Sequence, residues 1–186
     1  MFGSVPYSWE MPDGRQIRFD VERAEVISGM GLYRANIAFS VSLDGHRLRC
    51  ETEPSGPKVP ATRFGCWSDS PSSSELTFWM AKGRDCPARD AAHAKTLTTP
   101  ECWDGELSFR GQSISLWHGI LKAFGSPVGY VSWGLDPKNI LLSADIVSSM
   151  QVRLYGPKAG VSADLSRNLI LLTMALHQWE HLASPD

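Results

Sequence analysis

The chain has no Cys-x-x-Cys, no Gly-x-Ser-x-Gly, no glycine-rich phosphate loop and no paired-carboxylate signature. Zinc-ribbon, thioredoxin, nucleophile-elbow and phosphate-loop chemistry therefore have no foothold in it. Its 18 Lys and Arg stand against 20 Asp and Glu, with no Lys/Arg cluster longer than two residues. The broad positive field of a duplex-binding domain is missing, and nucleic acid is not an expected partner. Long apolar runs are also missing. The longest, residues 169–176, is interrupted by Thr173 and flanked by Arg167, Asn168, His177 and Gln178, far short of the ~20 residues a membrane span needs. The opening residues carry Pro6, Glu10, Pro12 and Asp13 and lack a positive segment followed by an apolar run, so no secretory signal is read and a cytoplasmic location is expected. No Asn-x-Ser/Thr acceptor occurs.

Cysteine is scarce. Cys50, Cys66, Cys86 and Cys102 fall at spacings of 16, 20 and 16. The even count permits two disulfides in an oxidising compartment, but without a signal segment reduced thiols are the preferred reading, with Cys50 filling a strand and the others in loops.

The 186 residues are 42% apolar, with seven Trp and seven Phe. A folded chain of this length buries roughly 70% of the surface its unfolded form exposes, so a real core forms without staples. From Tyr33, Ile37, Phe39, Val41 and Leu43 alternate with polar residues, Asp44-Gly45 turns the chain, and Leu48, Cys50 and Thr52 resume. Period-two burial joined by a dipeptide that accepts positive φ is a β-hairpin. Ile17, Phe19 and Val21 alternate in a strand before it. Residues 16–53 therefore read as a meander.

Residues 54–104 read as a Pro-rich loop region holding three of the four cysteines, with one strand at 75–82 and a short helix at 87–97. Loops this long in a compact domain are usually functional or mobile. Hairpins return over residues 105–155, where Leu107 and Phe109 alternate, Arg110-Gly111 turns the chain, and Ile114 and Leu116 continue. Residues 162–182 then form a helix, with Ser162 as N-cap and Asp164 in the first turn. Its stripe of Leu165, Leu169, Leu172, Leu176 and Trp179 is flanked by Ile170, Leu171, Met174 and Ala175, so it is apolar nearly all round and demands burial on several faces. The expected fold is mainly β (α+β). One domain holds a single antiparallel sheet of about nine strands, closed or strongly curled because closure removes unpaired edges, with one buried C-terminal α-helix.

The hairpin Leu107-Ser108-Phe109-Arg110-Gly111-Gln112, the pair around Phe124-Gly125-Ser126-Pro127-Val128-Gly129-Tyr130-Val131 and the terminal helix together resemble the tubby C-terminal-like superfamily, which includes LURP-one-related proteins and phospholipid scramblases. The match is one of pattern over residues 107–182. It implies a barrel threaded by its C-terminal helix and an association with phosphoinositides or membranes. The chain departs from the family in having no dense cationic pocket, no cysteine-rich acylation segment and no acidic loop beside the helix.

His177-Gln178-Trp179-Glu180-His181 matches the His-x-x-Glu-His of inverted zinc peptidases, since histidines at i and i+4 share a helical face with a glutamate adjacent as base. The motif ends a core helix, where cations also suit the helix dipole, and ordinary polar residues of the last turn are the preferred reading. No metal ligand, catalytic residue or cofactor is assigned. Trp67 and Trp103 each follow a cysteine in similar settings. With the loop cations Arg63, Arg84, Arg89 and Lys95, they are the candidate binding residues. Against this stand the ordinary readings: loop tryptophans that cover a core, and a solvated loop of mixed charge. The functional expectation is a non-enzymatic binding or scaffold module that contacts a protein partner or an anionic surface, such as anionic lipid, through its loops. The competing expectation is a small-molecule or lipid-binding barrel, or an enzyme acting in its cavity.

Overall fold

In a computed structural model, residues 7–29, 32–52, 64–68, 76–82, 101–123, 126–148 and 151–183 are described. They form one antiparallel sheet of eleven strands and one helix. The strands are β1 (Tyr7–Glu10), β2 (Gln16–Gly29), β3 (Leu32–Leu43), β4 (His46–Thr52), β5 (Phe64–Ser68), β6 (Leu76–Lys82), β7 (Glu101–Phe109), β8 (Gln112–Ala123), β9 (Ser126–Asp136), β10 (Asn139–Ser148) and β11 (Gln151–Tyr155), followed by α1 (Ala163–Ala183). Every strand pairs with its neighbours in sequence. The two legible hairpin turns are present: Asp44 and Gly45 have φ of 53° and 76°, and Arg110 and Gly111 have 48° and 77°. Two successive positive-φ residues are what a two-residue turn needs to match the strand twist. At the first turn, Arg15 reaches from the β1–β2 connection to both Asp13 and Asp44. Its hydrogen bonds hold the Asp13 carboxyl below its ordinary value.

Alternation decides which side chains share a face. One row crosses seven strands through Thr52, Phe64, Met80, Gly105, Leu116, Trp133 and Leu142. The next runs through Phe39, Cys50, Cys66, Phe78, Leu107 and Ile114. Apart from the partly exposed Gly105, both rows are buried and form one face of the sheet, against which α1 packs.

Polar contacts along α1 show how the sheet surrounds it. Asn168 and Trp179, about three turns apart and so on one side, bond to His46 (2.7 Å) and Thr52 (3.1 Å) at the two ends of β4. Thr173 and Glu180, about two turns apart and roughly a third of a turn round the axis from the first pair, meet Trp133 of β9 (2.9 Å) and His118 of β8 (3.4 Å). His177, about half a turn round from Asn168, meets the Trp9 ring of β1 edge-on at 5.2 Å. Strands from both halves of the sheet thus touch different sides of one helix. Every residue from Asn168 to Glu180 is buried, as an all-round apolar helix requires. The sheet curls around α1 without closing: among the described residues no pairing joins β11 to β1. Half-buried Trp9, Met11, Val152 and Leu154 lie on these two terminal segments, against the core.

The structure corrects several sequence-based expectations. The strand count is eleven, not nine. β1 is only 4 residues long and lies beside Pro12, while β5 is 5 residues inside the Pro-rich region, each too short to show a periodic signal. Among the described residues, the 54–104 region consequently holds two strands and the start of a third, β7 beginning at Glu101. Gly105 and Asp104 disguise that start as a turn, yet a Cβ on Gly105 would lie 2.9 Å from Met80 Cβ and 2.8 Å from the Trp79 carbonyl, so glycine there serves strand packing. The helix at 87–97 lies outside the described residues. The terminal helix runs one residue later than expected, with the Leu165 amide donating to Ser162 Oγ at 3.3 Å, so Ser162 caps it.

The reduced-thiol reading is also overturned. Cys66 and Cys102 lie on strands, not in loops. Cys50 and Cys66 stand directly opposite on the inner faces of β4 and β5, with Cα atoms 4.1 Å apart, and form a disulfide. Cys102 is disulfide-bonded to a partner outside the described residues. Register, which the spacing of 16 does not reveal, brings the first pair together. Closing a loop of about that size stabilises a fold by roughly 3 kcal/mol through the unfolded chain.

Candidate functional site

Two places concentrate chemistry, one on each face of the sheet. On the inner face, period two carries Leu116, His118 and Ile120 inward from β8, while the helical period aims Glu180 at the same strand. His118 and Glu180 meet with both side chains at 0% exposure. His118 Nδ1 lies 2.8 Å from the Tyr130 carbonyl, which accepts a hydrogen bond from it and orients the ring so that Nε2 faces Glu180. A lone buried carboxylate is costly, and a polar imidazole beside it lessens that cost. Trp179 lies beside this pair in sequence, stacked 5.1 Å from Phe64 and edge-on to Trp103 at the same distance. The indole nitrogen of Trp103 and the amide nitrogen of Gln178 are buried with no hydrogen-bond partner among the described residues.

This arrangement separates the members of the His-x-x-Glu-His motif. His177 is 1% exposed and packs on Trp9, Glu180 turns to β8, and His181 is exposed. Among the described residues no group of three His, Cys, Asp or Glu side chains is placed to hold a metal. His181 is an exposed residue of the last turn, whereas His177 is buried, against the expectation of an ordinary polar last-turn residue. His177 and Glu180 are core groups, because a sheet that curls around α1 leaves the helix no solvent face there.

On the outer face, the residues that alternate with the core rows include three tryptophans. Trp67 on β5 and Trp79 on β6 stack at 6.2 Å, and Trp117 stands on β8. Trp79 lies over Gly65, where a Cβ would come within 2.5 Å of its ring, so the missing side chain makes room for the indole. Tyr130 covers Gly119 in the same way, its ring 2.5 Å from where a Cβ would be. Register sets Glu51 across from Gly65, Glu106 across from Trp79 and Asp104 across from Trp117. The outer face of β4 to β8 is thus a band of indoles with carboxylates between them.

Of the candidate binding residues, Trp67 lies half-buried in this band, while Trp103 lies on the opposite face, buried in the core against Trp179. Both are on strands, not loops, and the structure does not bring them together. Trp103 shares the parity of Leu107 and Phe109, a signal that Gly105 interrupts. Arg63, Arg84, Arg89 and Lys95 lie outside the described residues. Sequence reasoning missed Trp79 and Trp117, although both alternate with core residues, Trp79 with Phe78 and Met80, Trp117 with Leu116 and His118. It also missed the His118–Glu180 contact, which joins residues 62 apart and has no local signature.

No helix among the described residues is long and apolar enough to cross a membrane. No family model matches the chain, and neither a curated protein nor a solved structure matches it.

Proposed function

We propose that the chain is a non-enzymatic binding module that contacts a protein partner through the outside of its sheet and the long connections between β4 and β7. One observation carries this reading. The concave side is filled by α1, with residues from Asn168 to Glu180 all buried, while Trp67, Trp79 and Trp117 stand on the outer side without entering the core. Large aromatic groups on a convex sheet supply anchors for a partner, since interface cores are enriched in Trp, Tyr and Arg. A small-molecule or lipid-binding barrel needs interior space that the side chains of α1 take up.

A meander curled around a C-terminal helix also supports the resemblance to the tubby C-terminal-like superfamily as a proposal for the fold, with an unclosed sheet as the departure. Contact with an anionic surface rests on Arg63, Arg84, Arg89 and Lys95 and has no support from the described residues. The bonded cysteines favour an oxidising compartment over the cytoplasmic location expected from the sequence.

Purification from native extract followed by light scattering tests the reading. A species heavier than the 20.5 kDa chain, carrying a second protein that a Trp67→Ala/Trp117→Ala variant loses, is the expected result. A monodisperse monomer, or a partner retained by the variant, would count against it.

A further inference from the structure

The disulfide-bonded cysteines lie on opposite faces of the sheet. Cys50 and Cys66 belong to the inner row, between Phe39 and Phe78, and both are 0% exposed. The strands cover their bond from one side and the core around α1 covers it from the other. Cys102 precedes the inward Trp103 on β7 and so has the opposite parity, on the outer face with Asp104. It is partly exposed, and it is bonded to a partner outside the described residues. One bond is therefore sealed in the core, while the other meets the surface.

Thiol–disulfide exchange begins when a thiolate reaches a disulfide sulfur, so access decides which of two bonds reacts. Bringing a charged thiolate to Cys50 or Cys66 requires the sheet to leave α1, which is unfolding of the domain. A folded chain spends about a thousandth of its time or less in that state. At Cys102 no such opening is needed. We infer that the bond at Cys102 is a redox-sensitive switch on the outer face, opened in the folded protein by small thiols of the glutathione class, while Cys50–Cys66 stays closed and keeps β4 stapled to β5. The first thiolate attacks, forms a mixed disulfide and expels one protein sulfur as a thiolate. The second thiolate displaces the other protein sulfur and leaves as the small-molecule disulfide. Two thiols are thus oxidised, and the two protein sulfurs are reduced and take up the protons. The strand keeps its place without the bond, because β7 pairs with both β6 and β8. Asp104 stands opposite Trp117, which makes Cys102 a diagonal neighbour of that indole. Opening the bond accordingly changes the outer face beside Trp117 and leaves the core alone.

Timed exposure of the folded full chain to millimolar reduced glutathione, with maleimide trapping and peptide mass spectrometry, tests the inference. The label appears at Cys102 at least about a hundredfold faster than at Cys50 or Cys66. Circular dichroism stays unchanged while it does so. Urea beyond the unfolding midpoint brings labelling of Cys50 and Cys66 up to the rate at Cys102. Labelling of Cys50 and Cys66 as fast as Cys102 in the folded chain overturns the inference. So does a folded chain in which Cys102 takes no label, or loss of the circular dichroism signal in step with the Cys102 label.

Discussion

Of the seven tryptophans, Trp9, Trp103 and Trp133 face the helix side of the sheet, Trp179 lies on the helix and packs against it, and Trp67, Trp79 and Trp117 face away. Two of the inner indoles are tied by their N–H groups, Trp133 to Thr173 and Trp179 to Thr52. They fix the helix to β9 and β4 in register as well as filling volume. Of the outer indoles, Trp67 and Trp79 stack on each other, Gly65 makes room for Trp79, and Glu106 and Asp104 stand across from Trp79 and Trp117. The same side chain thus does two kinds of work. Inside, its area and one hydrogen bond specify a unique docking of α1. Outside, its ring is only half-buried. Composition alone, with its generous tryptophan, does not distinguish these roles. Strand parity does.

The largest expected effect comes from the inner set. Trp179→Ala removes a buried indole, its bond to Thr52 and its contacts with Phe64 and Trp103, and should destabilise the fold by about 4 kcal/mol, read as a lower midpoint in urea unfolding. A loss below about 1 kcal/mol would mean that the helix is not held inside the curl at this point. Next is His118→Ala, which leaves the Glu180 carboxylate buried without its imidazole and should cost about 3 kcal/mol. Glu180→Leu combined with His118→Leu, which removes both polar groups, should recover most of that loss, and failure to recover it would show that the pair does more than compensate its own burial. The smallest effect belongs to the outer set. Trp117→Ala should change stability by no more than about 1 kcal/mol while it weakens partner binding. A large loss of stability there would erase the distinction between the two faces.

Much of the fold was legible for a simple reason. In residues 16–52 and 105–155, side chains alternate between a packed and a solvated face, and Asp44-Gly45 and Arg110-Gly111 announce their turns. The helix was legible from its capping serine and its all-round apolar character. The β5 strand was not, because 5 residues between proline-rich flanks offer no period. The disulfide was not, because it depends on which residue of β4 faces which residue of β5. Trp67 and Trp103 lie on opposite faces, one in the outer band and one in the core, because their similar sequence settings conceal opposite parity relative to the sheet.

What the sequence determined by itself is local: strand alternation, turn chemistry, the N-cap and the demand that α1 be buried on every side. How that demand is met was decided by the tertiary structure alone. Eleven strands curl around the helix, so that His177 and Glu180 become core groups facing Trp9 and His118. The same curl turns Trp67, Trp79 and Trp117 outward beside Glu51, Asp104 and Glu106. The physical reason is that period sets which residues share a face, whereas register and curvature set which distant residues meet on it, and these arise from the packing of the whole sheet on one helix.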